Sequence, residues 1–268
     1  TAEQLADLVA RYDAIGGTFP LRAITEAQCR GLQVALDDIE PGRYRVALGQ
    51  KHAAPRVEDG VRELVDRGVD RVVGLVLAPH YSRMSVGEYA QRAATAGERA
   101  AVPVETVESW HLLPAYLDFA AAAVDEVLGT VPAGSRVLFT AHSLPRRILA
   151  TGDPYPTQLR ETAEAVAARL GLADWDVGWQ SAGRTPEPWL GPDVLEAVRT
   201  AAQSRTVPGL VVCACGFVAD HLEVAYDLDV EANRLARQLG LPFARTRSVN
   251  DDASVLRGLA ELVAARAS

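Results

Sequence analysis

Five histidines, His52, His80, His111, His142 and His221, each sit just past an apolar run that reads as a β-strand. The runs are 44–48, 72–77, 102–107, 137–140 and 210–217. In an open parallel sheet, residues beyond the carboxyl ends of the strands line the ligand crevice. Imidazole ligates transition metals and accepts protons near neutral pH. A crevice that gathers imidazoles therefore points to a metal, a proton transfer, or both. One histidine at a strand end is an ordinary half-exposed loop residue. Five of five form a pattern.

Carboxylates follow one of these histidines. Glu223, Asp227 and Glu231 recur every four residues and form one acidic stripe on a helix. Like charges at that spacing destabilise a helix by a few tenths of a kcal/mol per pair. Such a stripe is either a solvated face or a track for cations or protons. Glu223 follows directly on a strand end, as His142 does, which favours the track. His142 lies in Ala141-His142-Ser143-Leu144-Pro145, where Pro145 stiffens the exit and holds the imidazole in place.

Two further groups sit at strand ends of the first half, Lys51-His52 and His80-Tyr81. Arg11-Tyr12 places a cation and a phenol ahead of the Gly16-Gly17 turn. Arg11 also fits an ordinary helix end, where it meets the helix dipole favourably. Gly16-Gly17 follows a helix instead of opening one, so it is not a phosphate loop. No Gly-x-Ser-x-Gly elbow and no zinc-type Cys/His spacing occurs.

The elements that must position these residues alternate. Helical spacing over 2–12 and 25–39, the latter with Thr25 as N-cap, precedes a strand at 44–48. A helix at 55–67, a strand at 71–77, a helix at 85–100 and a strand at 102–109 complete a βαβαβ series. That series is the mark of a parallel sheet with crossover helices. The pattern restarts with a helix at 114–129 and a strand at 136–140, then a helix at 155–170 and a strand at 175–179. Three prolines and two glycines make 181–192 a stiff irregular loop. A helix at 193–203, a strand at 209–217, a long helix at 220–239, a strand at 242–246 and a helix at 251–266 close the chain. The expected fold class is α/β, with two similar Rossmann-like domains at 1–113 and 114–268, the last helix packing on the first domain.

Composition narrows the partners. The 268 residues are 49% hydrophobic and 23% charged, enough for an unaided core. A net charge of −8 with no basic block argues against nucleic acid. Three cysteines can build neither a disulfide framework nor a four-thiolate cluster, and a reducing, cytoplasmic setting fits. Cys213 and Cys215 fall two apart, on one face of a strand, and read as small core residues. No apolar stretch approaches the roughly 20 residues needed to span a bilayer. The chain starts at Thr1 instead of Met, which suggests a processed or truncated start.

The stretches AHSLP (141–145), GDPYPTQL (152–159), GWQSAGRTPEPWLGPD (178–193) and GFVADHLEVAYDLDVEA (216–232) resemble the signature blocks of ferrochelatases. ARYDAIGGTFPLRAIT (10–25) and LAPHYS (77–82) extend the resemblance through the first half. It covers essentially the whole chain and is nearest in character to the short, coproporphyrin-using branch. It implies two chelatase-type domains with the porphyrin between them, and insertion of Fe²⁺ with release of two protons in haem biosynthesis. It implies that His142 and Glu223 are the pair at the metal-insertion site. Asp227 and Glu231 become an acidic ladder on a partly π-helical segment. Arg11, Tyr12, Phe19, Lys51, His52, His80 and Tyr81 become porphyrin-binding positions.

Phe19 stands where relatives carry a serine. No cysteine-bearing C-terminal extension is present, so no iron–sulfur cluster is expected. Relatives begin with a strand and a tyrosine-bearing loop ahead of the first helix. The first sheet is thus expected to lack one strand. The expected partners are coproporphyrin III and ferrous iron, and the expected state is a monomer. Three alternatives remain on the same fold: a protoporphyrin IX ferrochelatase, a cobalt or nickel chelatase, and a non-catalytic haem-binding protein. Which of His142 and Glu223 takes the protons and which holds the metal is open at this stage.

Overall fold

The run Val137-Leu138-Phe139-Thr140-Ala141 is buried without interruption, as a strand covered on both faces must be. It forms the middle of β3 (Arg136–His142) in a computed structural model that describes residues 2–17 and 21–267. Phe19 falls outside the described residues. Contacts divide the chain into two units. The first comprises residues 1–21 and 117–249, and the second comprises 22–116 and 250–268. The helix α1 (Ala2–Ala14) thus groups with the later half of the chain, and α10 (Ala253–Ala267) with the earlier half. A linear split at 113/114 differs from this grouping at both ends.

In the first unit, β3 pairs with β4 (Trp175–Gln180) on one side and β5 (Leu210–Cys213) on the other. The strand β6 (Phe243–Arg245) adds to β5. All pairings are parallel, in the order β4-β3-β5-β6. The crossovers are helical, as parallel neighbours require. They are α6 (Tyr155–Leu170), α7 (Val194–Gln203) and a segment made of α8 (Leu222–Val224), π-helical Ala225–Ala232 and α9 (Asn233–Gln238). The helix α5 (Pro114–Leu128) leads into the sheet. One core layer joins Leu138, Leu210 and Val212 of the strands to Val198 of α7 and to Val224, Leu228, Ala232 and Ala236 of the last crossover. The helix α7 begins where Asp193 accepts the Leu195 amide, an ordinary carboxylate N-cap.

The chain leaves β3 toward β4 on one side and later returns to β5 on the other. The order of strands therefore reverses beside β3, and ligands of open parallel sheets bind outside the carboxyl ends at such a point.

The second unit has β1 (Val72–Leu75) parallel to β2 (Val104–Val107), a two-stranded ladder among the described residues. Its helices are α2 (Leu21–Ile39), α3 (Val57–Asp66), α4 (Val86–Ala100) and α10. Ala35 and Leu36 of α2 meet Ala260 and Val263 of α10 in one core. Trp110 ties the exits of both strands, its amide donating to the Pro79 carbonyl and its indole N–H to that of Val76. Past those exits lie His80 and His111, with ring centroids 6.0 Å apart.

Four sequence expectations are corrected. Residues 44–48 join no strand ladder, because the Val46 amide and the Tyr44 carbonyl bond the Gln33 side chain instead of a neighbouring strand. Helix α2 begins at Leu21, which puts Thr25 inside it and not at its cap. The strand expected over 209–217 stops at Cys213, where the Cys215 amide turns back to the Cys213 carbonyl and that of Gly216 crosses to the Thr140 carbonyl. The single helix read from spacing over 220–239 is interrupted by eight π-helical residues, as the family resemblance implied. None of the described helices is long and apolar enough to cross a membrane.

His80 is 1% exposed, and burial, with His111 adding to it, lowers its pKa to about 3. The folded state keeps this ring neutral, while the unfolded chain protonates it near its ordinary value of 6.5. Below that value the unfolded state binds the extra proton, so stability falls with pH until the buried ring itself titrates. The expected loss is on the order of 2 kcal/mol between pH 6.5 and 5. Thermal melts across that range measure it, and His80→Gln should flatten the dependence. An unchanged slope in the variant would assign the acid sensitivity elsewhere.

Candidate functional site

His142 is the last residue of β3, at the carboxyl end beside the reversal. Four contacts hold it there. Its carbonyl accepts the buried Tyr155 hydroxyl at 3.1 Å. The Ser143 amide donates to the Gln180 carbonyl at 2.7 Å, and the Ser143 hydroxyl to the Leu190 carbonyl at 2.8 Å. Pro145 bridges to Trp189 in the stiff 181–192 loop. The loop that leaves β5 reaches this point because residue 216 is glycine. A Cβ there would lie 2.3 Å from that of Ala141, far inside contact distance.

The imidazole is fixed as well. Its Nδ1 lies 2.6 Å from the Ser143 carbonyl oxygen, which can only accept. Nδ1 therefore carries the proton, and in the neutral ring the Nε2 lone pair is free to act. Nε2 faces Glu223 Oε1 at 3.7 Å, too long for a hydrogen bond and right for an ion pair once the ring is charged. Burial alone would lower the His142 pKa. Glu223 beside it, the Ser143 carbonyl and Asp227 outweigh burial and raise it. For Glu223, burial pushes upward, and His142 and Arg11 outweigh it, so the carboxyl stays below its ordinary range.

Glu223 is placed by its neighbour. The Glu223 amide donates to His221 Nδ1 at 3.1 Å, which caps the start of α8. The acceptor must be a bare Nδ1, so His221 is neutral with its proton on Nε2. Burial lowers its pKa and keeps it so. Phe217 packs edge-on against the His221 ring, with centroids 5.2 Å apart.

Asp227, in the π-helical segment, is buried at 6% exposure and accepts the Ser181 hydroxyl at 2.5 Å. Burial raises its pKa to about 6. The Ser181 bond opposes that rise, and the charges of Glu223 and Glu231 add to it. Glu231 is half-buried one step further along. Arg11 stacks over the Tyr226 ring at 4.8 Å and pairs with Asp7, which also binds Arg184. Tyr12 follows on α1, its carbonyl accepting the Ile15 and Gly17 amides at the closing turn.

The structure thus brings His142, Glu223, Asp227, Glu231 and Arg11 together in one unit. Lys51, His52, His80 and Tyr81 belong to the other. There Lys51 is paired with Glu88, and the ring of His80 is closed off from solvent. Ser181 is the residue that pattern reading missed. Its φ of 60° is a left-handed conformation that costs a non-glycine residue about 1–2 kcal/mol. Its place directly after β4, level with His142 on β3, was the available signal. His221 as a cap was also missed.

Among the described residues, no three His, Cys, Asp or Glu side chains form a ready metal cage. A divalent cation at the inner end would find two donors, the His142 imidazole and the Glu223 carboxylate, with Asp227 behind them. That donor set suits a cation in transit whose remaining ligands come from another molecule.

The comparisons with known proteins agree with this geometry. A family model described as Ferrochelatase matches residues 1–267. The coproporphyrin III ferrochelatase of Geobacillus kaustophilus is 42% identical over 270 residues, covering 98% of this chain and 85% of that protein. The ferrochelatase of Herpetosiphon aurantiacus is 42% identical over 258 residues, covering 94% and 84%. Among solved structures, SirB from Bacillus subtilis with Fe3+ aligns with a TM-score of 0.62 at 11% identity over 90% of each chain. A second SirB structure, the sirohydrochlorin chelatase from the subspecies spizizenii in complex with cobalt, aligns at 0.58 and 10% identity over 88% of each. At those identities the structural likeness establishes a shared α/β chelatase fold. The family model and the two ferrochelatase relatives establish more: this chain belongs to the ferrochelatase family, the porphyrin metal chelatases.

Proposed function

We propose that this chain inserts Fe²⁺ into coproporphyrin III in haem biosynthesis, releasing the two pyrrole protons. The observation that carries the reading is the tautomer of His142. With Nδ1–H committed to the Ser143 carbonyl, the free Nε2 lone pair faces an ionised carboxylate at the sheet's switch point. That is the arrangement of a base that takes a proton from a weak acid and has its new charge matched at once.

In this reading His142 Nε2 accepts the pyrrole protons one at a time, handing the first to the carboxylates of the ladder before it takes the second. Glu223 balances the imidazolium and meets the incoming Fe²⁺. Asp227 and Glu231 pass cations or protons along the π-helical segment, with Ser181 holding Asp227 in line. Iron is a substrate here, and the macrocycle supplies the nitrogens that complete its coordination. Tyr155, through the His142 carbonyl, keeps the base from shifting with strand motion. Arg11, Tyr12, Phe19, Lys51, His52 and Tyr81 are proposed porphyrin contacts on the family resemblance. His80, with its ring shut away, is left out of that set. The proposal includes no iron–sulfur cluster, since three cysteines fall short of four thiolates. It places a monomer in the cytoplasm, where its three free thiols would persist.

The relatives named for coproporphyrin III support that porphyrin as the substrate. Anaerobic Fe²⁺ insertion followed by absorbance, with coproporphyrin III and protoporphyrin IX side by side, tests the choice. A higher kcat/KM for coproporphyrin is expected. A preference for protoporphyrin would reassign the substrate, and binding without insertion would make the chain a carrier.

The ladder has its own test. Glu223→Gln should remove turnover, because it strips the charge facing the base. Asp227→Asn and Glu231→Gln should mainly raise the KM for Fe²⁺, since they lie further from the reacting nitrogens. Equal loss of kcat at all three positions would point to a shared structural role instead.

A further inference from the structure

One side chain, that of Arg245, grips the segment that carries the ladder at two separate points. Arg245 is the last residue of β6, on the edge strand, and ends at the same carboxyl side of the sheet as His142. Its guanidinium is largely buried and makes contacts at both ends of the ladder segment. Nη1 donates to Asp220 Oδ1 at 3.0 Å, and the Ser248 hydroxyl donates to that same oxygen at 2.9 Å. Nε and Nη2 form a two-pronged fork on Asp229, at 2.7 and 2.8 Å. Nη1 also donates to the Thr246 carbonyl at 3.1 Å.

Asp220 stands just before the capping His221, three residues ahead of Glu223. Asp229 stands two residues past Asp227, inside the π-helical stretch. One planar cation thus fixes both the start of the segment and its second turn. A π-helix of eight residues needs such a restraint. The π form occurs mostly as single turns, so the chain must be held from relaxing into an ordinary α-helix. Relaxation would rotate Asp227 relative to Glu223 and withdraw it from Ser181.

We propose that Arg245 is a positioning residue for metal insertion, keeping the π-helical segment wound so that Glu223 and Asp227 stay registered on His142 and Ser181. This rests on the reading of those residues as the insertion site. Arg245 touches no reacting atom and acts through Asp220 and Asp229. Lysine cannot replace it fully, because a single ammonium cannot fork onto one carboxylate while donating to another.

The test pairs two measurements on the full chain with Arg245→Gln, Arg245→Lys and Asp229→Asn. The first is amide hydrogen exchange, which reads the segment without reference to activity. Exchange over 225–232 should quicken in Arg245→Gln relative to β3 and β5, with Arg245→Lys between it and the wild type. The second is anaerobic Fe²⁺ insertion into coproporphyrin III, with kcat and both KM values. Arg245→Gln should lower kcat between about tenfold and a hundredfold, as misplacement of a reacting group does. The KM for iron should rise and that for coproporphyrin should stay within about twofold of wild type.

Unchanged exchange over 225–232 overturns the proposal. So does faster exchange with unchanged kcat, which would make Arg245 a stability residue only. Should Arg245→Gln not fold, Asp229→Asn releases the fork at a half-exposed carboxylate. It must then show both changes in smaller amplitude, and if it shows neither the proposal fails. A wild-type chain that inserts no metal would overturn the functional reading first, so the two failures are told apart.

Discussion

The contact between His142 Nδ1 and the Ser143 carbonyl decides which nitrogen of the ring can do chemistry. A ring free to flip would present either nitrogen and either tautomer to Glu223, and its basicity would average over both. With one nitrogen committed to a backbone oxygen, the other has a single orientation, and in the neutral ring it carries the lone pair. That commitment in turn depends on Ser143 being held in place by Gln180 and Leu190. Those partners belong to β4 and to the proline-rich loop after it. The rigidity of one imidazole is thus inherited from a parallel strand pair and a loop with three prolines.

The acidic side shows a different balance. Glu223, Asp227 and Glu231 repel one another, and Asp227 is nearly closed off from water. A buried carboxylate among carboxylates would normally be excluded from a stable fold. Here the cost is met locally by the Ser181 bond and by Arg11 on the same face, while Arg245 restrains the opposite side. The rise of the Asp227 pKa to about 6 leaves it able to gain and lose a proton near neutrality. That indecision suits the proposed role of passing on a cation or a proton. Strain at Ser181 and a long π-helical stretch fall on the same few residues, as strain in folded proteins tends to gather where chemistry is done.

Much of this was legible before any coordinates. The strand β3 reads directly from an unbroken apolar run, and α7 was expected over 193–203, close to where it lies. That His142 lies at the carboxyl end of a strand was visible in the pattern, although it is the last residue of β3, while Glu223 lies in α8, well beyond the end of β5 at Cys213. Other features were not legible, for identifiable reasons. A four-residue carboxylate spacing looks the same on an α-helix and on a π-helix, so the residues alone read as one long helix over 220–239. The run at 44–48 has the composition of a strand, but Gln33 captures its backbone groups. The positive φ of Ser181 carries no signal in its residue type, since glycine or asparagine would be the usual occupant, and only its place after β4 pointed to it. Sequence order also hid that α1 groups with the later half of the chain, whereas the grouping of α10 with the earlier half was expected.

The central claim is that His142 acts on the reacting nitrogens and not on binding. Its most direct test is His142→Ala, with coproporphyrin III affinity measured by fluorescence quenching and Fe²⁺ insertion measured anaerobically on the same preparation. Affinity is expected to stay within about threefold, while the insertion rate falls by ~10²-fold or more, the least a positioned general base contributes. A variant that keeps more than about a tenth of wild-type turnover, or that loses porphyrin binding in proportion to turnover, would contradict the assignment of His142 as the base.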